Sequence, residues 1–203
     1  IIENKKFIEM DFKNIYNYYK VGGMYMDYNT RCIINKLSET VLKVYNIEIP
    51  ITDMSQIVEE IGGKVIEDNS KSGVYDGRIT RKYSKDDNTQ FKIFIPEDQH
   101  EERKKFTIAH ELGHLFLHMG YKIDNNLWEQ QKDIDYYRDG NSEEEFQANE
   151  FAASLLMPKK QYKEILDKNS NEEYVDINEV AKYFGVSRQA ALNRGRWLGY
   201  LAW

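Results

Sequence analysis

The sequence predicts an α+β fold with a helical core, a small and mainly antiparallel sheet beside it, and a helix-turn-helix-like segment at the C-terminal end. Three observations predict this fold. Apolar residues recur at helical spacing over much of the chain, residues 64–95 hold short β-branched runs between polar turns, and residues 176–194 give two helical patterns separated by Gly185. With 203 residues, 41% of them hydrophobic, the chain is long enough to bury a sizeable core.

The first part of the chain predicts two helices after an N-terminal stretch. Residues 1–28 combine charged and amide side chains with several aromatics, which predicts a short helix or a surface arm of unknown role. Apolar residues at helical spacing predict a helix over 30–45. Thr52 or Asp53 is suited to cap a second helix, which the glycine pair at 62–63 ends.

Three short segments predict the strands of the sheet. Residues 64–67 and 77–82 are rich in β-branched side chains, and residues 91–95 alternate along the segment as a half-buried strand does. The next helix is predicted to begin near His100.

That helix carries three of the four histidines within residues 106–118. His110 and His114 lie four residues apart, so they project from one helix face and can place two imidazole nitrogens on one metal ion. A zinc ion held by three protein ligands keeps an open position for a water molecule, whose pKa it lowers to about 7. Glu111 lies off the ligand face, which predicts that it is the general base for that water.

The histidines also have a plainer interpretation, in which the pair belongs to an ordinary half-buried helix. The apolar residues between them already supply a buried face, however, so a metal site explains the cluster better. His118 lies one turn further along the helix face that carries His110 and His114, which predicts that it packs beside a ligand or bonds to one. A metzincin needs glycine at 117 and histidine at 120, and the chain has Leu117 and Gly120, so the third ligand comes from elsewhere.

Residues 121–141 are polar and acidic and have two interpretations. They form either a flap over the site or a solvated connecting loop with one short helix, and the loop is favoured. Helix resumes at Ser142 or Glu143, and Ser142 and Glu145 have the spacing of a capping box.

The resumed helix supplies the predicted third ligand, for which Glu145 is favoured. Asn149 lies one turn further on the same face and is predicted to bond to Glu145 or to a liganding imidazole and fix its orientation. Glu143, Glu144 and Glu150 remain alternatives, because acidic residues commonly stand at a helix start, where they suit the helix dipole.

Two blocks of sequence together resemble the ImmA/IrrE metallo-endopeptidase family. They are RKKFTIAHELGHLFLH at 103–118 and EFQANEFAASLLMP at 145–158, and the resemblance extends over about residues 30–198. It implies a zincin-like fold and, as protein substrate, a helix-turn-helix transcriptional repressor of a mobile element or a stress response, cleaved to relieve repression.

The same resemblance implies a gluzincin-like site with one Zn²⁺ per chain. His110, His114 and Glu145 would be its ligands, and Glu111 its catalytic acid and base. Gln147 departs from the glutamate that relatives often carry, and we expect this change to alter only the surroundings of the ligands.

The C-terminal pattern offers a competing interpretation. Residues 176–194 predict a helix, a tight turn and a second helix capped by Ser187, as in DNA-binding proteins. Four polar side chains after the turn are candidates for contact with nucleic acid or a protein partner: Arg188, Gln189, Asn193 and Arg194. Gly195 is predicted to interrupt this helix. Because the family carries such an element within its fold, a structural or substrate-docking role is favoured over DNA binding.

The composition limits the partners and the cellular compartment that the sequence predicts. A net charge of −6 disfavours bulk attraction to nucleic acid or to an anionic membrane. The single Cys32 cannot form an internal disulfide, and no apolar run is long enough for a membrane span. These features predict a cytoplasmic protein with no membrane association.

The predicted division is an arm at 1–28, a zinc peptidase domain at 29–165 and a helix-turn-helix-like subdomain at 166–203. The predicted function is that of a site-specific zinc endopeptidase. The alternative is a regulator or toxin–antitoxin component that binds a repressor or DNA without cutting, around a structural zinc. An oxyanion donor is also needed, and three tyrosines are candidates among which the sequence does not choose: Tyr121, Tyr136 and Tyr137.

Overall fold

A computed structural model describes residues 28–68, 76–81, 89–131, 135–137, 142–171 and 174–203, with the side chains of 135–137 left outside the description. Apart from Tyr28, the predicted N-terminal arm lies outside the described residues. The helices of the described part are α1 (Tyr28–Val44), α2 (Met54–Ile61), α3 (Glu101–Leu117), α4 (Asn125–Gln130), α5 (Glu143–Leu156), α6 (Lys159–Lys168), α7 (Ile177–Phe184) and α8 (Arg188–Trp197). Its strands are β1 (Gly63–Glu67), β2 (Arg78–Thr80), β3 (Phe91–Ile95) and β4 (Asp135–Tyr137).

The four strands form one mixed sheet in the order β1-β3-β2-β4. β1 pairs with β3 in parallel, whereas β2 pairs antiparallel with both β3 and β4. The predicted mainly antiparallel sheet is therefore confirmed. The sequence did not predict β4, which lies inside the 121–141 stretch and pairs Ile79 with Tyr136.

Local capping explains where several helices begin. Asp53, one of the two predicted caps, accepts a hydrogen bond from the Gln56 N–H at 3.0 Å. Ser142 and Ser187 do the same for α5 and α8, through bonds from the Glu145 and Ala190 N–H groups. The helix starts that the sequence predicted at these positions are confirmed.

Helix α3 lies in the centre of the core and packs along α5. Its apolar face is fully withdrawn from solvent, since Leu112, Leu115 and Phe116 are 0% exposed. A Cβ at Gly113 would stand only 2.9 Å from the Cα of Ala148, so the two helices approach as closely as their backbones allow. This approach brings the N-terminal turn of α5 to the histidines of α3.

The C-terminal helices α7 and α8 share the same core as the helices before them. Val180, Phe184 and Ala191 belong to one cluster of buried apolar side chains with α3 and α5. The Tyr162 hydroxyl on α6 donates to the Ala191 carbonyl at 2.7 Å. The prediction that Gly195 interrupts α8 is wrong, because the helix continues to Trp197.

The stretch after α3 contains the short helix α4, capped by Asp124. None of the helices in the described ranges is long and apolar enough to cross a membrane.

Candidate metal centre

Three buried side chains from α3 and α5 converge in a group that we call the ligand triangle: His110, His114 and Glu145. All three are less than 5% exposed. The Nε2 atoms of the histidines are 3.1 Å apart, and each lies 3.2 Å from one of the two Glu145 carboxylate oxygens. The structure therefore brings together the three residues that the sequence favoured as metal ligands.

The ligand triangle has the size and the donor set that zinc requires. Zn²⁺ binds imidazole nitrogen at about 2.0–2.1 Å, so tetrahedral ligand atoms stand roughly 3.3 Å from one another. The three observed separations are 3.1, 3.2 and 3.2 Å. Two neutral imidazoles and one carboxylate also form the donor set of known catalytic zinc sites.

Asn149 fixes the orientation and tautomer of His110. Its Oδ1 lies 3.0 Å from His110 Nδ1, where it accepts the ring N–H. With the proton held on Nδ1, the lone pair of the ring remains on Nε2 and points into the ligand triangle. This is one of the contacts that the sequence anticipated for Asn149.

His118 and Gln147 orient His114 through a chain of hydrogen bonds. Gln147 Nε2 donates to Glu143 Oε1 at 3.0 Å, so its Oε1 faces His118 Nε2 at 3.0 Å and accepts the proton there. Burial, with a further contribution from His114, lowers the pKa of His118 to about 3, which keeps that ring neutral. His118 Nδ1 then accepts from His114 Nδ1 at 2.9 Å, which leaves the His114 Nε2 lone pair for a metal.

Glu145 supplies the negative charge of the ligand triangle. Burial by itself raises the pKa of the Glu145 carboxyl, but hydrogen bonds and charge from His110 and His114, when those rings are protonated, outweigh that effect and hold the pKa well below its usual range. Its neighbour Ser142 caps the helix through the Glu145 N–H at 3.3 Å, so the backbone of the ligand is also fixed.

Glu111 follows His110 on α3 without belonging to the ligand triangle, and is 2% exposed. The chain entering β2 approaches it closely: a Cβ at Gly77 would stand 2.9 Å from Glu111 Oε1 and 2.5 Å from Thr107 Cγ2. Gly77 therefore leaves the space that this carboxylate occupies. In the sequence Gly77 is the first residue of the predicted strand 77–82, and a glycine at a strand start is a signal of close backbone approach.

The structure corrects the prediction for Arg194. This side chain is 2% exposed, and its guanidinium donates to the Met157 carbonyl, Glu150 Oε1 and Asn35 Oδ1 at 3.0, 2.9 and 2.7 Å. It has no free surface for a phosphate, a base edge or a partner, so that assignment is wrong. Arg188, Gln189 and Asn193 are exposed.

The structure excludes one of the three tyrosines that were candidates for the oxyanion donor. Tyr121 is 0% exposed and its hydroxyl donates to the Ile61 carbonyl at 2.6 Å, so it is a core residue and its candidacy is wrong. Tyr136 and Tyr137 lie on β4, and their side chains are outside the described part of the chain.

An HExxH helix with a glutamate from a neighbouring helix defines the zincin class of metallopeptidase sites. The sequence profile of the IrrE N-terminal-like domain, Peptidase_M78, matches residues 58–195, which include every member of this site. The chain belongs to this peptidase family.

A solved structure described as a Mycobacterium tuberculosis transcriptional regulator is similar to this fold. Its TM-score is 0.52 and its sequence identity 14%, with 90% of this chain and 50% of that chain covered. The likeness is one of fold, and this chain spans half the length of that protein. No curated protein sequence matches the chain.

Proposed function

We propose that the chain is a zinc-dependent, site-specific endopeptidase that cuts a protein substrate. The observation that carries the proposal is the pairing of the buried ligand triangle with Glu111, a buried carboxylate that follows His110 on α3 and is not one of the triangle's members. A zinc site that only stabilises a fold is usually closed by four protein ligands and has no need of an additional buried carboxylate.

A zinc ion in the ligand triangle would polarise the scissile carbonyl and lower the pKa of a water molecule. The residues of the chain account for the remaining steps. Glu111 holds the attacking water by its proton, accepts that proton as the new C–O bond forms, and then donates it to the nitrogen of the leaving amine as the C–N bond breaks. Asn149 and His118 hold the two imidazoles in the tautomer that this chemistry requires.

We propose a helix-turn-helix transcriptional repressor as the substrate. The support comes from the resemblance to the ImmA/IrrE family and from membership of the IrrE-like family. The similar fold of a protein described as a transcriptional regulator agrees with a role in the control of transcription.

One observation favours the alternative, a regulator that binds without cutting. α7 and α8 are joined by a short turn, and Arg188 at the start of α8 is exposed, as in a DNA-binding helix. The burial of Arg194 removes one of the two arginines among the four candidate contact residues. We therefore rank the alternative second.

The test uses purified, zinc-loaded protein and the helix-turn-helix repressor encoded beside its gene. Wild type and Glu111→Gln are each incubated with the repressor, and the products are measured by intact-mass spectrometry. A single cut made only by the wild type is expected. If both proteins form a stable complex with the repressor and neither cuts it, the binding regulator replaces the peptidase.

A further inference from the structure

An open groove of about 880 Å³ runs between α8 and the residues Thr107 and Asn149, which adjoin the candidate metal centre. Four helices line it: α1, the first turns of α3, the exposed flank of α5, and α8. We call it the α8 groove. Its volume is that of a ligand site, with room for several amino-acid side chains.

Two of the residues that line the α8 groove adjoin members of the candidate site. Asn149 lines the groove and also bonds His110 at 3.0 Å. Thr107 lines it too, and lies beside Glu111 next to Gly77. A chain lying in the groove would therefore contact residues that adjoin His110 and Glu111.

Exposed aromatic side chains mark the groove as a binding surface. Phe146 is 54% exposed and Trp197 is 51% exposed, and both line it. Trp203 packs on Trp197 at a centroid distance of 4.8 Å, and the Arg31 guanidinium lies 3.7 Å from the Trp197 ring centre. Clustered aromatic and arginine side chains of this kind are typical of the energetically dominant parts of protein interfaces.

The charges of the α8 groove indicate what it receives. Three arginines and three carboxylates line it, and its arginines are already engaged: Arg31 and Arg194 pair with Glu150, and Arg103 pairs with Asp76 at 2.6 Å. A groove with balanced, internally paired charges gives no net attraction to a polyanion. It suits an uncharged, partly apolar stretch of polypeptide.

Gln189, Asn193 and Trp197 follow one another at four-residue spacing along the wall that α8 presents to the groove. Gln189 Nε2 donates to Asn193 Oδ1 at 2.8 Å, which leaves the Asn193 amide nitrogen as a donor for a peptide carbonyl. This face of α8 is thus turned towards the groove.

We propose that the α8 groove binds the substrate polypeptide next to the scissile bond, and that Phe146 and Asn193 select the uncharged residues that lie there. The helix-turn-helix-like segment then forms one side of the substrate-binding groove and contributes to the specificity of the enzyme. This proposal rests on the proposed peptidase function.

The test separates binding from cutting by using zinc-loaded Glu111→Gln on an array of random twelve-residue peptides. Phe146→Ala and Asn193→Ala are introduced separately into that background, and Arg188→Ala on the same helix but outside the groove is the matched control. We expect each groove variant to weaken binding of the selected peptides about tenfold, with the control unchanged. Zinc content and melting temperature verify that the variants are folded and loaded.

Unchanged binding in both groove variants would overturn the proposal, as would a failure of the protein to bind any peptide on the array. Binding of a labelled DNA duplex that is lost on Asn193→Ala would also overturn it. The peptides that bind are then incubated with the zinc-loaded wild type. If none is cut although Phe146 and Asn193 control binding, the proposed peptidase function is wrong, whereas peptide binding in the α8 groove is supported.

Discussion

Glu145 joins two roles in one residue, because its N–H is capped by Ser142 while its carboxylate faces both imidazoles. We expect Glu145→Gln to leave the fold intact and to weaken zinc binding. The loss should exceed the roughly 10- to 100-fold that removal of an outer partner costs, which is the effect we expect of Asn149→Ala. Competition titration with a zinc chelator measures both. The exposed neighbour Glu144→Gln is the control, and a loss of affinity there equal to that of Glu145→Gln would contradict the assignment.

A substitution at Gly77 tests the position of Glu111 without changing the metal ligands. The Cβ of Gly77→Ala would crowd Glu111 Oε1 and the Thr107 methyl group. We expect kcat for the repressor to fall about 100-fold, the size of effect that an ångström-scale displacement of a catalytic group produces. Zinc content should not change. Adding Thr107→Ser removes the crowded methyl and should recover part of the activity, whereas full activity in Gly77→Ala alone would show that Glu111 is not confined there.

At the level of helices, the contact between α3 and α5 sets the shape of the ligand triangle. Helix propensity alone predicts that Gly113→Ala stabilises α3 by about 1 kcal/mol. The new Cβ would meet the Ala148 backbone at 2.9 Å, which can be relieved only if the helices separate. We therefore expect lower thermal stability together with weaker zinc binding, measured by calorimetry with and without zinc. A more stable protein with unchanged zinc affinity would contradict this view of the contact.

The attachment of α8 depends on the buried ion pair of Arg194 with Glu150. Arg194→Met should lower the free energy of unfolding by about 3 kcal/mol, because it leaves a buried carboxylate short of a partner. Arg31 at 3.4 Å and Asn35 at 2.6 Å still face Glu150, which places the effect at the lower end of the range for such pairs. Denaturant unfolding is the measurement. Adding Glu150→Gln should recover part of the loss. If Arg194→Met left the free energy of unfolding unchanged, the attachment of α8 would not depend on this ion pair.

Across the whole molecule, features set by neighbouring residues could be predicted from the sequence. The caps at Asp53 and Ser187 depend on side chains three residues from the amides they bond. The histidine spacing on α3 likewise fixes which imidazoles share a face.

Features set by distant parts of the chain could not be predicted in this way. β4 forms because it pairs with β2, more than fifty residues earlier. In the sequence Arg194 has the neighbours of an exposed basic residue. Only the packing of α8 on α1 and α5 buries it. The α8 groove also needs four helices to be in place before it exists.

The central claim is that one metal ion binds to His110, His114 and Glu145. X-ray absorption at the zinc edge, on protein loaded with zinc, tests it most directly. We predict one zinc per chain with two imidazole ligands at about 2.0–2.1 Å and otherwise oxygen neighbours. A sulfur neighbour at about 2.3 Å would implicate Cys32, and a third imidazole would make His118 a ligand. Either result would contradict the account.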